Sequence, residues 1–413
     1  MIVYKQFENG LRLVVNKIEG LTSVSAGILV KTGSINENKE ENGISHYIEH
    51  VMFKGTKKRT AFEISDYIDR IGAQINAFTS KEMTCYYTKS TKEHTEDAIE
   101  VLSDIFFNSE FNSEELEKEK SVVIEEINMS EDTPEDICLD LLANSYYGND
   151  GLGQTILGSI KNIKSFNIDK VRAYMNRYYT ADNVVISVAG NVDVDEVQRL
   201  IKDYFADKFT VFKSDKQFVT SKFSNENLYR SKRIEQSHIG FAMKGYTATD
   251  ELADAYSIAN TVLGGGMSSR LFQRIREELG LCYSVYSYPS QYKDNGILEI
   301  YAGVNTQSRD LAVEAIVEVV KKFKKEGITE QEFSRGKEQL KSSFIFSRES
   351  SGSQMLLYGR YLLFLNKEFD FQERITKLEN VSKEDVMKAI EGSFDIESSA
   401  TATVGPKRTA IKV

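Results

Sequence analysis

The feature that most constrains the fold of this chain is an internal recurrence. Gly27-Ile28-Leu29-Val30-Lys31 reads as a strand, and Gly240-Phe241-Ala242-Met243-Lys244 reads the same way 213 positions later. Val171, Tyr179 and Gly190 correspond to Val386, Phe394 and Gly405, each 215 positions on. In both copies a polar helical segment leads into an apolar strand, residues 184–189 in one and 400–404 in the other. Near-constant offsets at both ends indicate one unit of about 200 residues used twice, an ordinary domain size. A chain of 413 residues is long for a single domain, and the repeat divides it in two.

The expected division is residues 1–208, a linker at 209–230 and residues 231–413. The linker is Lys/Ser/Asn-rich with weak periodicity. In the first half, apolar patterning predicts strands at 11–16, 23–31, 74–79, 84–90 and 184–189. It predicts helices at 43–53, 61–71, 95–106, 113–129 and 168–178. Strands mixed with helices imply an α+β fold of two homologous domains, each a mixed β-sheet with helices packed on it.

Composition narrows the class. The chain is 41% hydrophobic and 28% charged, with no Trp and 3 Pro, as in soluble globular proteins. A net charge of −10 disfavours nucleic acid or an anionic membrane as the main partner. Cys85, Cys138 and Cys282 are isolated, odd in number and without metal-pair spacing, which fits a reducing compartment. The opening Met1-Ile2-Val3-Tyr4-Lys5-Gln6 lacks the basic start and apolar run of a secretory signal, and no apolar stretch approaches membrane-spanning length. The expectation is a cytoplasmic protein with no nucleic-acid or membrane partner.

Two of the four histidines fall in His46-Tyr47-Ile48-Glu49-His50. On a helix, Ile44, Tyr47, Ile48 and Val51 form one stripe, with His46, Glu49, His50 and Phe53 opposite. Residues four apart lie one turn apart, so both imidazoles can reach one ion. Zinc takes nitrogen and oxygen ligands, and a catalytic site uses three protein ligands plus water. Glu49 then stands where a base could deprotonate that water. A solvated face bearing His and Glu by chance fits the same five residues.

A third ligand is commonly supplied by a second helix. Residues 114–127 are helical in pattern, with Leu116, Val122, Val123 and Ile127 as an apolar stripe. Glu119 and Glu126, seven apart, fall within that stripe, whereas Glu125 points nearly away. A carboxylate on a buried stripe is costly unless paired or metal-bound. Glu126 is therefore the better ligand candidate and Glu119 a partner for a ligand histidine. On periodicity alone, an acid-rich solvated helix remains an equal reading.

Together these motifs resemble the pitrilysin/insulinase family of zinc metallopeptidases, whose inverted motif is His-x-x-Glu-His. Within it the chain looks most like short bacterial members related to the mitochondrial processing peptidase. The resemblance implies Zn2+ held by His46, His50 and Glu126, with Glu49 as base and Glu119 as accessory glutamate. It implies two domains enclosing a cleft. Gly72 to Thr79 match the edge strand on which family members lay substrate, giving Asn76, Ala77 and Phe78 as substrate contacts. Ser268 to Tyr283 match the C-terminal-domain signature, implying that Arg276 and Tyr283 bind substrate backbone and stabilise the oxyanion. Phe53 matches a residue lining the pocket after the cut bond. Asp136 and Asp140 match acids that recognise a basic side chain before it. Gly264-Gly265-Gly266 reads as a turn.

The second copy lacks the chemistry. At an offset of 213, His46, Glu49 and His50 align with Ala259, Val262 and Leu263. At 216, Glu119 and Glu126 align with Arg335 and Ser342. His94 and His238 read as structural. The resemblance implies a homodimer cleaving extended or unfolded peptides. The rival readings are a noncatalytic scaffold or binding subunit of the same family, and a zinc hydrolase of non-peptide amides.

Overall fold

A computed structural model describes residues 1–149, 151–210, 212, 213, 221, 223–406 and 411. The chain opens with β1 (Ile2–Gln6), β2 (Arg12–Lys17) and β3 (Ser23–Val30), then α1 (Ile44–Val51) and α2 (Ala61–Arg70). The pair β4 (Gln74–Thr79) and β5 (Thr84–Thr91) precedes α3 (Thr95–Asn108), α4 (Ser113–Asp132), α5 (Pro134–Tyr147), α6 (Ile160–Ser165) and α7 (Ile168–Tyr178). After β6 (Val184–Gly190) and α8 (Val194–Tyr204) come β7 (Asn227–Ser231), β8 (Gln236–Lys244) and α9 (Ala253–Gly264). The last part holds β9 (Cys282–Gln291), β10 (Gly296–Asn305), α10 (Arg309–Glu326), α11 (Glu330–Phe346), α12 (Ser351–Leu365), α13 (Phe371–Asn380), α14 (Lys383–Gly392) and β11 (Ala400–Gly405). Of the expected linker, residues 211, 214–220 and 222 lie outside the described residues, and its last stretch enters β7.

The strands form a six-stranded sheet, ordered β1-β2-β6-β3-β5-β4, and a five-stranded sheet, ordered β7-β11-β8-β10-β9. Without β1 the two orders are the same topology in repeat-equivalent strands. In each, one pair is parallel, β2 with β6 and β7 with β11, and the other pairs are antiparallel. Both sheets are therefore mixed, as the α+β reading required. Their central strands are buried along nearly their whole length, because both faces are covered. Every residue of β6 is buried, and in β3 all but Ser23 are.

By compactness the chain forms two units. One comprises Met1–Ile127, Thr155–Val219 and Phe346–Phe369; the other comprises Asn128–Gln154, Thr220–Ile345 and Asp370–Val413. Each unit thus takes one helix from the opposite half of the sequence. In the first, α12 packs on β3 and β6. There Ser187 Oγ donates to the Met355 carbonyl at 2.7 Å, and Asn16 Nδ2 donates to Gln354 Oε1 at 2.9 Å. The approach is close: a Cβ on Gly359 would sit 2.8 Å from a Leu29 methyl carbon. In the second unit, α5 packs on β8 and β11, with Leu142 fully buried against Gly240. The two exchanged helices are themselves repeat equivalents, since Pro134 and Ser351 lie 217 positions apart. Burial of Met355, Tyr358, Leu362 and Leu363 on α12 contributes about 1.5–3 kcal/mol per apolar side chain.

Among the described residues, no helix is long and apolar enough to cross a membrane.

Candidate metal centre

Helix α1 is placed by its stripe. Ile44, Tyr47, Ile48 and Val51 are at most 1% exposed and belong to the first core. The opposite face leaves the His46 and His50 side chains 12% and 16% exposed. On α4 the buried stripe is Leu116, Glu119, Lys120, Val123 and Ile127, following the helical three-and-four spacing. Val122 and the Glu126 side chain, both expected in that stripe, are 45% and 39% exposed: at 100° per residue both lie off the line joining Leu116, Val123 and Ile127.

The two helices bring three donors together. The ligand-capable atoms of His46, His50 and Glu126 lie within 4.8 Å of one another. Glu126 Oε2 is 3.5 Å from His46 Nε2 and 3.3 Å from His50 Nε2. Glu119, 4% exposed, meets His50 Nδ1 through Oε1 at 2.9 Å and accepts from Lys54 Nζ through Oε2 at 2.7 Å. Glu49 Oε2 accepts from Thr79 Oγ1 at 2.6 Å, which ties the end of β4 to the middle of α1.

The electrostatics follow. Burial, then the neighbouring His50 charge, pulls His46 down to about 4, so its imidazole is neutral and able to ligate at pH 7. Burial alone would lower His50, but the Glu119 hydrogen bond and the charges of Glu126, Glu119 and Glu49 outweigh it and raise it. Burial pushes the Glu119 carboxyl up, yet the His50 and Lys54 hydrogen bonds overcome this and hold it below its ordinary value. Glu49 is raised, chiefly by burial and partly offset by the Thr79 hydroxyl. Three carboxylates converge on two imidazoles, and Lys54 offsets one negative charge. Such a set of nitrogen and oxygen donors fits a zinc ion.

The remaining expected residues fall as follows. Phe53 is half-buried against the first core, its ring 6.4 Å from that of Tyr86. Asn76, Ala77 and Phe78 lie on β4, a sheet edge with β5 as its partner. Asp136 and Asp140 lie one turn apart on α5 in the second unit, where burial, then Asp140 and Glu135, raise the Asp136 carboxyl. Arg276 and Tyr283 also belong to the second unit. Arg276 is in a π-helical turn, Phe272–Glu278, with its guanidinium 4.7 Å from the Phe272 ring centre and 4.9 Å from that of Tyr283. Tyr283 is 77% exposed. Gly264 ends α9 buried against Ser287, and Gly265 and Gly266 bend out of the helix into the turn at Met267 and Ser268. His94 Nδ1 lies 2.8 Å from Asp97, and His238 Nδ1 lies 2.6 Å from the Tyr301 hydroxyl.

Sequence reasoning missed Thr79 and Lys54. Thr79 closes the edge-strand motif and Lys54 follows the histidine motif, yet neither contact follows from helical spacing, because α1 ends at Val51 and Thr79 arrives from a strand.

Comparison with known proteins gives the family and the fold. The family described as Insulinase (Peptidase family M16) matches residues 12–160, and Peptidase M16 inactive domain matches residues 165–340. The uncharacterized zinc protease YmxG of Bacillus subtilis (strain 168) is 44% identical over 402 residues, 97% of each chain. An uncharacterized zinc protease of Streptomyces coelicolor is 33% identical over 384 residues, 91% of this chain and 84% of that one. Two crystal structures share the fold: a protease from Helicobacter pylori (TM-score 0.90, 24% identity, 98% and 99% coverage) and a peptidase M16 inactive domain from Pseudomonas fluorescens (0.90, 18%, 100% of both). With a relative 44% identical along nearly its whole length, this chain belongs to the insulinase family, peptidase family M16.

Proposed function

We propose that this protein is a zinc-dependent endopeptidase that cuts extended or unfolded peptides. The observation that carries the reading is the convergence of His46, His50 and Glu126 within 4.8 Å, with Glu49 on the same helix turn as the two histidines. These donors lie in the segment that matches the peptidase family, whereas the segment matching an inactive domain begins after them. That division favours catalysis over the noncatalytic scaffold reading.

A zinc ion held by His46, His50 and Glu126 would supply Lewis acidity at the peptide carbonyl and at the attacking water. Glu49 takes the proton from that water and returns it to the leaving amine nitrogen. Its raised pKa brings it closer to neutrality, as proton shuttling in both directions requires. Glu119 holds His50 Nδ1–H and so fixes its tautomer and aim. An extended substrate would add to the β4 edge through main-chain hydrogen bonds, near Asn76, Ala77 and Phe78. The Glu49–Thr79 hydrogen bond supports this, because it sets the base at the end of that edge. The equivalent edge of the second sheet, β9, carries Pro289, which has no N–H to offer a peptide.

Carried over from the family resemblance are Phe53 as the pocket wall after the cut bond, Asp136 and Asp140 as the site for a basic side chain, and Arg276 and Tyr283 as backbone and oxyanion partners. The resemblance likewise supplies the two-domain division, pairing into a homodimer and a processing-peptidase type of action. Three free cysteines suit the reducing cytoplasm.

The test is cleavage of a quenched, unstructured peptide bearing one Arg by zinc-loaded wild type and by Glu49→Gln. The reading expects activity in the first, none in the second, and equal zinc content. Inactivity of both with zinc bound would favour the scaffold reading.

A further inference from the structure

His46 and His50 are supported differently. His50 Nδ1 has the Glu119 carboxylate at 2.9 Å, whereas His46 Nδ1 is buried and has no hydrogen-bond partner among the described residues. A ligand imidazole is usually aimed by such a partner. The aim of His46 must then come from the backbone that carries it.

That backbone is held by a carboxylate from outside the helix. Glu37 is 1% exposed. Its Oε2 accepts from Gly43 N at 2.7 Å and from Asn42 Nδ2 at 3.2 Å, and its Oε1 accepts from Ser45 N at 2.8 Å. Ile44 N donates to the Glu41 carbonyl at 2.8 Å, so the amides of Gly43, Ile44 and Ser45, three of the four at the start of α1, are engaged. Unmatched N–H groups and the positive end of the helix dipole make this a favourable place for an anion. Burying a carboxylate costs several kcal/mol unless hydrogen bonds replace water; here burial raises the Glu37 carboxyl, and the hydrogen bonds from Gly43, Ser45 and Asn42 offset that in part. The same turn is braced by a second buried contact, in which Ser45 Oγ meets the Tyr174 hydroxyl at 2.8 Å, itself 2.8 Å from Thr32 Oγ1. Gly43 adopts φ +97°, with Leu157 O and Gly158 Cα standing 2.7 and 2.8 Å from where a Cβ would be. The entrance to α1 thus has one conformation available, and His46 follows Ser45 directly.

We infer that Glu37 is a positioning residue for His46: it fixes the first turn of α1 through backbone hydrogen bonds and so takes the place of the side-chain partner that His46 lacks. This rests on the reading of His46 as a metal ligand.

The test is a double-mutant cycle on zinc affinity, measured by chelator competition on the full chain. It uses wild type, Glu37→Gln, His46→Ala and the double variant. Gln offers one acceptor where the site needs two, so one of the amides of Gly43 and Ser45 loses its partner. The expected result is roughly 10- to 100-fold weaker zinc binding by Glu37→Gln in the His46 background. In the His46→Ala background the same change should alter affinity by less than about twofold, because the group being aimed is gone. Equal losses in both backgrounds would mean a general loosening, and no loss in either would mean no role; both overturn the inference. If Glu37→Gln does not fold, Glu37→Asp, which withdraws the carboxylate by one methylene, enters the same cycle with the same criteria. The ligand reading is judged separately: His46→Ala alone must weaken zinc at least tenfold, and failure there overturns that reading and this inference together.

Discussion

His50 and Lys54 are joined through one buried carboxylate: Glu119 Oε1 lies 2.9 Å from His50 Nδ1 and Glu119 Oε2 lies 2.7 Å from Lys54 Nζ. The cation holds the carboxylate, and the carboxylate holds the imidazole. Replacing Glu119 with Gln should weaken zinc binding by roughly 10- to 100-fold. Lys54→Met should weaken it less, because Glu119 keeps its bond to His50. Chelator competition gives the order; a larger loss for Lys54→Met than for Glu119→Gln would break the chain as described.

The Thr79 hydroxyl donates to the ionised form of Glu49 and so lowers its carboxyl against the upward push of burial. In Thr79→Val that bond is lost and the carboxyl rises further. The acid limb of kcat/KM, where the base becomes protonated, should therefore move to higher pH by about one unit. A pH profile of the two proteins checks this; an unmoved limb would show that the bond does not act on the base.

Elsewhere in the second unit, Glu332 accepts from Arg270 Nε and Nη2, each at 2.8 Å. Those bonds, with the Thr329 amide, lower Glu332 from 4.5 to about 2. A carboxyl depressed on folding stabilises above its unfolded pKa and loses that contribution as pH falls through the folded one. Glu332→Gln should be less stable than wild type at pH 7. The gap should narrow between about pH 4.5 and 2. Urea midpoints across that range report it, and a gap independent of pH would exclude the ionic contribution.

Leu142 on α5 is fully buried against β8. Leu142→Ala leaves a cavity and should cost about 2–5 kcal/mol. In calorimetry this is a fall of roughly 4–20 °C for a unit of this size. A shift under 2 °C would mean that α5 is not integral to the second sheet.

Residues 1–210 alone lack α12, and hence the cover over β3 and β6. Such a fragment should bind a hydrophobic dye and give no cooperative melting transition. Co-expression with residues 211–413 should restore both. A fragment that melts cooperatively by itself would show the cover to be dispensable.

Much of this architecture was legible locally. The expected spans for β4 and α7 coincide with the observed Gln74–Thr79 and Ile168–Tyr178, and the α1 stripe is buried as its spacing required. Period and propensity report which face of an element is apolar. They do not report which sheet will receive it, so the exchange of α5 and α12 could not be read from either helix. The same limit explains the side chains that were missed. Glu37 lies outside any helix or strand and acts on amides six and eight residues away. Lys54 and Thr79 meet their carboxylates through the fold rather than along one element. Val122 was misplaced because its apolar character was given more weight than its angle on α4.

The exchange of helices also sets an order of events during synthesis. His46, His50 and Glu126 leave the ribosome early, but the helix that closes the sheet behind them ends at Leu365. Until that residue is made, β3 and β6 remain bare on the face that α12 will occupy. The part of the chain that carries the donors is thus completed only after about 240 further residues have followed Glu126. On the proposed function, this delay keeps a finished cutting centre away from the enzyme's own unfolded, still-growing chain.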